Sequence, residues 1–128
     1  MNPLTLEWVA KAEGDFNTAR RELRARRSPN FDAVCFHFQQ AAEKYLKALL
    51  QESGQNILRT HQLMDLLALC QKADRSIQLL VPDLMALDGM GVKFRYPGET
   101  ADKAEAKSAF NSMRAVRRFV RGRLGVER

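Results

Sequence analysis

The segment from Ala33 to Leu50 constrains the fold most, because its apolar side chains repeat with the period of an α-helix. At about 100° per residue, they cover roughly half of the helix circumference. The arc comprises Val34, Cys35, Phe38, Ala41, Ala42, Tyr45, Leu46, Ala48 and Leu49. An apolar arc this wide needs at least two neighbouring elements to cover it, and its alanines allow close approach. We therefore predict that this segment is the central helix of a bundle.

The opposite side of this helix is polar and is predicted to be exposed. It carries Gln40, Glu43, Lys44, Lys47 and Gln51. Glu43 and Lys47 have the i, i+4 spacing of a surface ion pair, worth about 0.3 kcal/mol. Phe36 interrupts this side, either as an incidental surface aromatic or as part of a self-association face.

Other segments also repeat with a helical period, and no β pattern competes with them. Asn2 is the predicted cap of the first helix, which extends to about Ala25, and Thr60 is the predicted cap of a helix at residues 61–72. Further helices are predicted at residues 82–90 and 101–121. We expect one all-α domain over residues 1–128, a four- to five-helix up-and-down bundle.

The composition excludes several classes of protein. The sequence contains no run of 18 apolar residues, so no membrane span is predicted, and the N-terminus lacks the pattern of a secretory signal. Cys35 and Cys70 have apolar neighbours and form neither a disulfide framework nor a zinc pattern with the two histidines. We expect a cytoplasmic protein without metal or cofactor. No phosphate-binding glycine loop, two-metal carboxylate set or nucleophile elbow is present in the sequence, so no catalytic residue is assigned.

The net charge of +6 comes from the C-terminal segment, where residues 93–128 carry ten basic and four acidic side chains. The last helix carries a basic row beside its apolar stripe, and Arg114, Arg117, Arg118 and Arg121 are its candidate contacts to a nucleic acid or a partner protein. A second basic run, residues 20–27, is interpreted either as a solvated helix end or as a phosphate contact.

Residues 88–100 form the glycine- and proline-rich loop in which function is expected. Arg95 is a candidate ligand contact or a structural clasp, and Tyr96 is a candidate stacking group for a base or a plug for the bundle end. His61 is either a catalytic acid or base, or a helix-start histidine that bonds a neighbouring helix. The candidate ligand-binding set is Gln40, Glu43, Lys44, Lys47, His61, Arg95 and Tyr96. If these groups converge, an anionic ligand would meet several charge-assisted donors.

Several of these segments together resemble the HEPN domain family of small prokaryotic helical bundles. The matching residues are Phe36, Gln39 to Lys44, Leu46 to Leu49, His61, Leu63 and Arg95 to Pro97, with Trp8, Ala12 and Asp15 in the first helix. The resemblance implies a homodimer associated with nucleotide or nucleic acid, often beside a minimal nucleotidyltransferase in a toxin–antitoxin-like pair.

The ribonuclease branch of that family carries an arginine, four to six intervening residues and a histidine. This sequence departs from that pattern, because Arg59 stands only two positions before His61 and no arginine stands at that distance before His37. We therefore predict a non-catalytic member that binds nucleotide or nucleic acid, or partners a nucleotidyltransferase. An RNA-cleaving toxin and a purely structural interaction bundle are the alternatives.

Overall fold

The computed structural model describes residues 1–126, which contain helices and no strand. The elements are α1 (Pro3–Leu23), α2 (Phe31–Glu52), α3 (Leu63–Ala73), a 3-10 helix (Arg75–Leu80), α4 (Val81–Leu87), α5 (Met90–Lys93) and α6 (Lys103–Leu124). The predicted all-α bundle is confirmed. Within this described part of the chain, no helix is long and apolar enough to cross a membrane.

Helix α2 is the central element, as its wide apolar arc predicts. It contacts α1, α3, α4, α5 and α6, and every member of the predicted arc is buried except Leu49, which is half-buried. Helix α1 lies antiparallel to it, with the backbone N–H of Asn2 bonded to Glu52 and Asp15 bonded to His37. Burial of an apolar face on several neighbours is the main stabilisation available to such a helix.

Helix α6 lies along α2 and is fixed at its start by three carboxylates. Asp32 accepts a hydrogen bond from the backbone N–H of Ala101 at 2.7 Å. Asp102 and Glu105 form a capping box that satisfies two orphan donors of the first turn. At the junction of α1, α2 and α6, the rings of Phe16, Phe38 and Phe110 lie 5.6–6.1 Å apart.

The connection from residue 53 to residue 62 runs back along α2, which places His61 beside Gln39 and Glu43. The predicted Thr60 cap is wrong, because α3 begins at Leu63. The Thr60 hydroxyl instead accepts the N–H of Gln62 within the preceding turn, at 3.1 Å. The carboxylate of Asp88 accepts the N–H of Leu63 at 2.9 Å and so replaces the missing cap.

The predicted helix over residues 82–90 is divided in the structure. Helix α4 ends at Leu87, and Gly89, with a φ of +84°, then reverses the chain. The single-turn α5 follows, inside the stretch predicted as a loop. This turn places Gly91 and Arg95 against α2, where the candidate site lies.

Candidate functional site

An open groove of about 620 Å³ lies between α2, the residues before α3, and α5. We call it the α2–α5 groove. Its lining comes from three parts of the chain: Phe36, Gln39 and Gln40; His61 and Gln62; and Asp88, Gly89, Gly91, Val92 and Arg95. Of the predicted ligand set, the structure brings Gln40, His61 and Arg95 together here.

A buried glutamine ties the three walls of the α2–α5 groove together. Gln39 donates from Nε2 to the backbone carbonyl of His61 at 3.1 Å and accepts from Gln40 at 2.9 Å. A Cβ at Gly91 would lie 2.7 Å from Oε1 of Gln39, closer than real Cβ atoms approach. The absence of a side chain at Gly91 therefore lets α5 rest on this amide.

His61 is held by a carboxylate at the edge of the groove. Its Nδ1 lies 3.0 Å from Oε1 of Glu43, while its side chain is 81% exposed. A hydrogen bond at Nδ1 fixes the ring orientation and leaves Nε2 available to solvent or to a ligand.

Glu43 and Lys47 do form the predicted i, i+4 pair, at 3.0 Å. The prediction that they face solvent is wrong, since their side chains are 5% and 9% exposed. The ammonium group of Lys47 also lies over the ring of Trp8, 5.6 Å from its centroid. Both charged groups are thus engaged inside the bundle, and Lys47 does not reach the groove lining.

Arg95 and Tyr96 are exposed after α5. Arg95 lines the groove, and among residues 1–126 its guanidinium has no side-chain hydrogen bond and no ion pair. Tyr96 is 60% exposed and is absent from the groove lining. Arg95 is therefore available to an incoming anion, whereas the ring of Tyr96 stands outside the groove.

Lys44 lies on the α1 side of α2, away from the groove. Its ammonium pairs with Asp15, which also binds Nδ1 of His37 at 2.9 Å. The expected convergence of Lys44 and Lys47 with Arg95 is therefore not present in the described residues, because Lys44 pairs with Asp15 of α1 and Lys47 pairs with Glu43 beside Trp8.

The four arginines predicted to form a surface on the last helix divide into two pairs. Arg117 binds Glu13 of α1 through two hydrogen bonds, of 2.8 and 2.6 Å. Arg121 donates to the hydroxyl of Tyr45 at 3.2 Å and is largely buried. Arg114 and Arg118 are exposed. The single basic row predicted from the sequence is therefore wrong for Arg117 and Arg121, which face α1 and α2.

The pair of Glu13 with Arg117 is accompanied by clear shifts in pKa. Burial by itself would raise the pKa of Glu13, but hydrogen bonds from Arg117 and Tyr45 outweigh burial and lower it. The hydrogen bond to Glu13 raises the pKa of Arg117. Burial, and then the bond to Glu13, raises the pKa of Tyr45. Glu13 is therefore an anion at neutral pH, and it balances the charge of Arg117 and Arg121 on the inner side of α6.

Among the groove residues that sequence reasoning missed as site members are Gln39, Asp88 and Gly91. Gln39 lies at the border of the apolar arc, and the two others lie in the glycine-rich stretch. These positions were the only sequence features that pointed to a role in a site. Within the described part of the chain, no three His, Cys, Asp or Glu side chains are placed to hold a metal ion.

Two of the comparisons with known proteins name the same family. A model of the HEPN domain matches residues 5–123. TT1696 from Thermus thermophilus is 27% identical with a TM-score of 0.75, over 92% of this chain and 96% of that one. ST0689, described as an archaeal HEPN homologue, is 25% identical with a TM-score of 0.73, over 93% of this chain and 96% of that one. A search of curated proteins finds no match.

Proposed function

The chain belongs to the HEPN domain family, and we propose that its α2–α5 groove binds a nucleotide, either free or at the end of an RNA strand. The observation that carries this proposal is the guanidinium of Arg95, which has no partner among residues 1–126 and lies in the same groove as His61 and Gln40. A nucleotide combines a phosphate, which a guanidinium binds well, with a flat base that offers hydrogen-bonding edges.

The remaining lining of the groove suits a base. Phe36 provides a half-buried aromatic ring on which a base can stack. The amides of Gln40 and Gln62 can both donate and accept hydrogen bonds. One oxygen of the Asp88 carboxylate accepts the N–H of Leu63 at 2.9 Å, which turns that oxygen towards the start of α3.

Calorimetric titration with ATP and with AMP tests this proposal. Replacing Arg95 by alanine should weaken binding about tenfold, the effect of losing one hydrogen bond to a charged group. Arg75→Ala is the matched control, because Arg75 is an exposed arginine outside the groove lining. No heat of binding from either nucleotide, or equal weakening by the control, would contradict the proposal.

The pair of Glu43 with His61 favours a second function, RNA cleavage. A histidine oriented by a carboxylate is a common arrangement in general acid–base catalysis, and Arg95 lies on the same groove to meet a phosphate. The departure from the arginine–histidine spacing of the ribonuclease branch makes nucleotide binding our main proposal. Incubation with transfer and messenger RNA tests the second function. If the protein cleaves RNA, His61→Asn should abolish cleavage and leave ATP binding within about threefold.

Self-association and a protein partner complete the proposal. The protein acts as a homodimer in the cytoplasm and partners a minimal nucleotidyltransferase, as the family resemblance implies. Sedimentation at increasing concentration tests the dimer, and co-purification with a nucleotidyltransferase encoded beside it tests the partner. A monomer at high concentration, or separate elution of the two proteins, would contradict these parts.

A further inference from the structure

A second groove, of about 720 Å³, lies between the end of α1 and the first turns of α6. We call it the α1–α6 groove. Its lining includes four cationic side chains, Arg24, Arg26, Lys103 and Lys107, and no carboxylate. The two elements meet here because α1 and α6 are antiparallel, as the contacts of Glu13 with Arg117 and of Phe16 with Phe110 establish.

The four cations of the α1–α6 groove are exposed, and none forms an ion pair within residues 1–126. The nearest acidic residues in the sequence are engaged elsewhere. Glu22 accepts the backbone N–H of Asn30 at 2.9 Å. Asp102 and Glu105 bond each other's backbone N–H groups in the capping box of α6. The four cations of this groove therefore have no carboxylate partner at ion-pair distance within residues 1–126.

The exposed cations continue beyond the groove in a row along α6. Lys103, Lys107, Arg114 and Arg118 fall within an arc of roughly 60° and span about 22 Å of helix. Arg20 of α1 lies over the ring of Phe16, and Arg114 of α6 lies over the ring of Phe110. The row therefore has the length of several consecutive phosphates, at about 3.4 Å of axis per charge on one strand.

We propose that the α1–α6 groove and the row on α6 bind the phosphodiester backbone of a nucleic acid strand, without reading its sequence. A polymer with one negative charge per repeat matches a row of unpaired cations better than a single nucleotide does. This site is separate from the α2–α5 groove and does not depend on nucleotide binding there.

The test is the salt dependence of binding to a labelled single-stranded oligouridylate of about 12 nucleotides. Six phosphate contacts, from the four groove cations and from Arg114 and Arg118, predict a slope of log K against log[salt] of about −4.2, and the Arg24→Ala/Lys107→Ala double variant should reduce it to about −2.8. Lys72→Ala/Arg75→Ala is the control, because it removes the same charge from exposed positions outside this groove. A duplex DNA of similar length forms a second arm and shows whether the site prefers single strands.

Three outcomes would overturn the proposal: no binding at about 50 mM salt, an equal loss in the control, or equal competition by polyglutamate. The last would identify an acidic protein segment as the ligand. Repeating the double variant in an Arg95→Ala background distinguishes the two grooves. The change in slope should persist there even though ATP binding is weakened, whereas a change in slope that disappears in the Arg95→Ala background would assign the two grooves to one site.

Discussion

The basic residues inside the bundle and those of the α1–α6 groove have opposite environments. Lys47 and Arg117 each meet a carboxylate at hydrogen-bond distance. Arg24 and Lys107 meet none among the described residues. Arg117 and Arg114 lie three residues apart on one helix, yet only Arg117 faces Glu13. Net charge therefore does not identify a binding surface, because part of it is neutralised inside the fold.

The largest effect expected from this comparison is at Lys47. Lys47→Met keeps most of the side-chain volume but leaves the buried carboxylate of Glu43 without its ammonium partner. We expect a loss of about 3 kcal/mol in the free energy of unfolding, measured by urea denaturation. The Glu43→Gln/Lys47→Met double variant should recover more than half of this loss, because it removes the unpaired charge. A single-variant loss below about 1 kcal/mol would mean that Lys47 belongs with the surface cations.

A smaller loss is expected at Glu13, which is partly exposed. Glu13→Gln weakens the bonds to Arg117 and Tyr45, and we expect the free energy of unfolding to fall by about 2 kcal/mol. Glu7→Gln is the control on the same helix, because Glu7 is exposed and forms no ion pair with a described residue. It should change stability by less than about 0.5 kcal/mol. Similar losses in both variants would argue against a special role for the inner network.

The pH dependence of the Glu13 contribution follows from its lowered pKa. A carboxylate whose pKa is lower in the folded state stabilises the fold above its unfolded pKa, about 4.3. That contribution is lost as the pH falls through the lower folded value. The stability difference between wild type and Glu13→Gln should thus be constant from about pH 7 to 5 and shrink below about pH 4. Urea titrations across this range measure it, and a difference that grows in acid would contradict the assignment.

The smallest effect is expected at the α1–α6 groove. Arg24→Ala and Lys107→Ala should each change the free energy of unfolding by less than about 0.5 kcal/mol, because no carboxylate is left unpaired. The same urea denaturation series checks this. A loss above about 1.5 kcal/mol in either variant would show that these cations stabilise the bundle and would remove the contrast.

The sequence predicted the bundle better than it predicted the environment of the charges. The wide apolar arc of α2 was sufficient to identify the central helix, because burial is encoded in the period of apolar residues. The cap of α3 was not predictable in this way. Asp88 lies 25 residues after Leu63 in the chain, and only the folded arrangement brings its carboxylate to that N–H.

The candidate site was predictable in part. Arg95, His61 and Gln40 were identified, and they share one groove. Lys47 was misassigned to the surface because an i, i+4 pair with Glu43 is typical of exposed helix faces. Its burial follows from contacts with Trp8 and from the return of residues 53–62, which no local pattern encodes.

The close approach of Gly91 to Gln39 has a consequence for how the α2–α5 groove is controlled. One added methyl group at position 91 would meet Oε1 of Gln39 at 2.7 Å, so the amide of Gln39 would have to move. That movement would disturb the hydrogen bond from Gln39 to the His61 carbonyl while leaving every charge on the protein unaltered. The shape of the groove can therefore be tuned independently of its electrostatics, through a single position that itself carries no functional group.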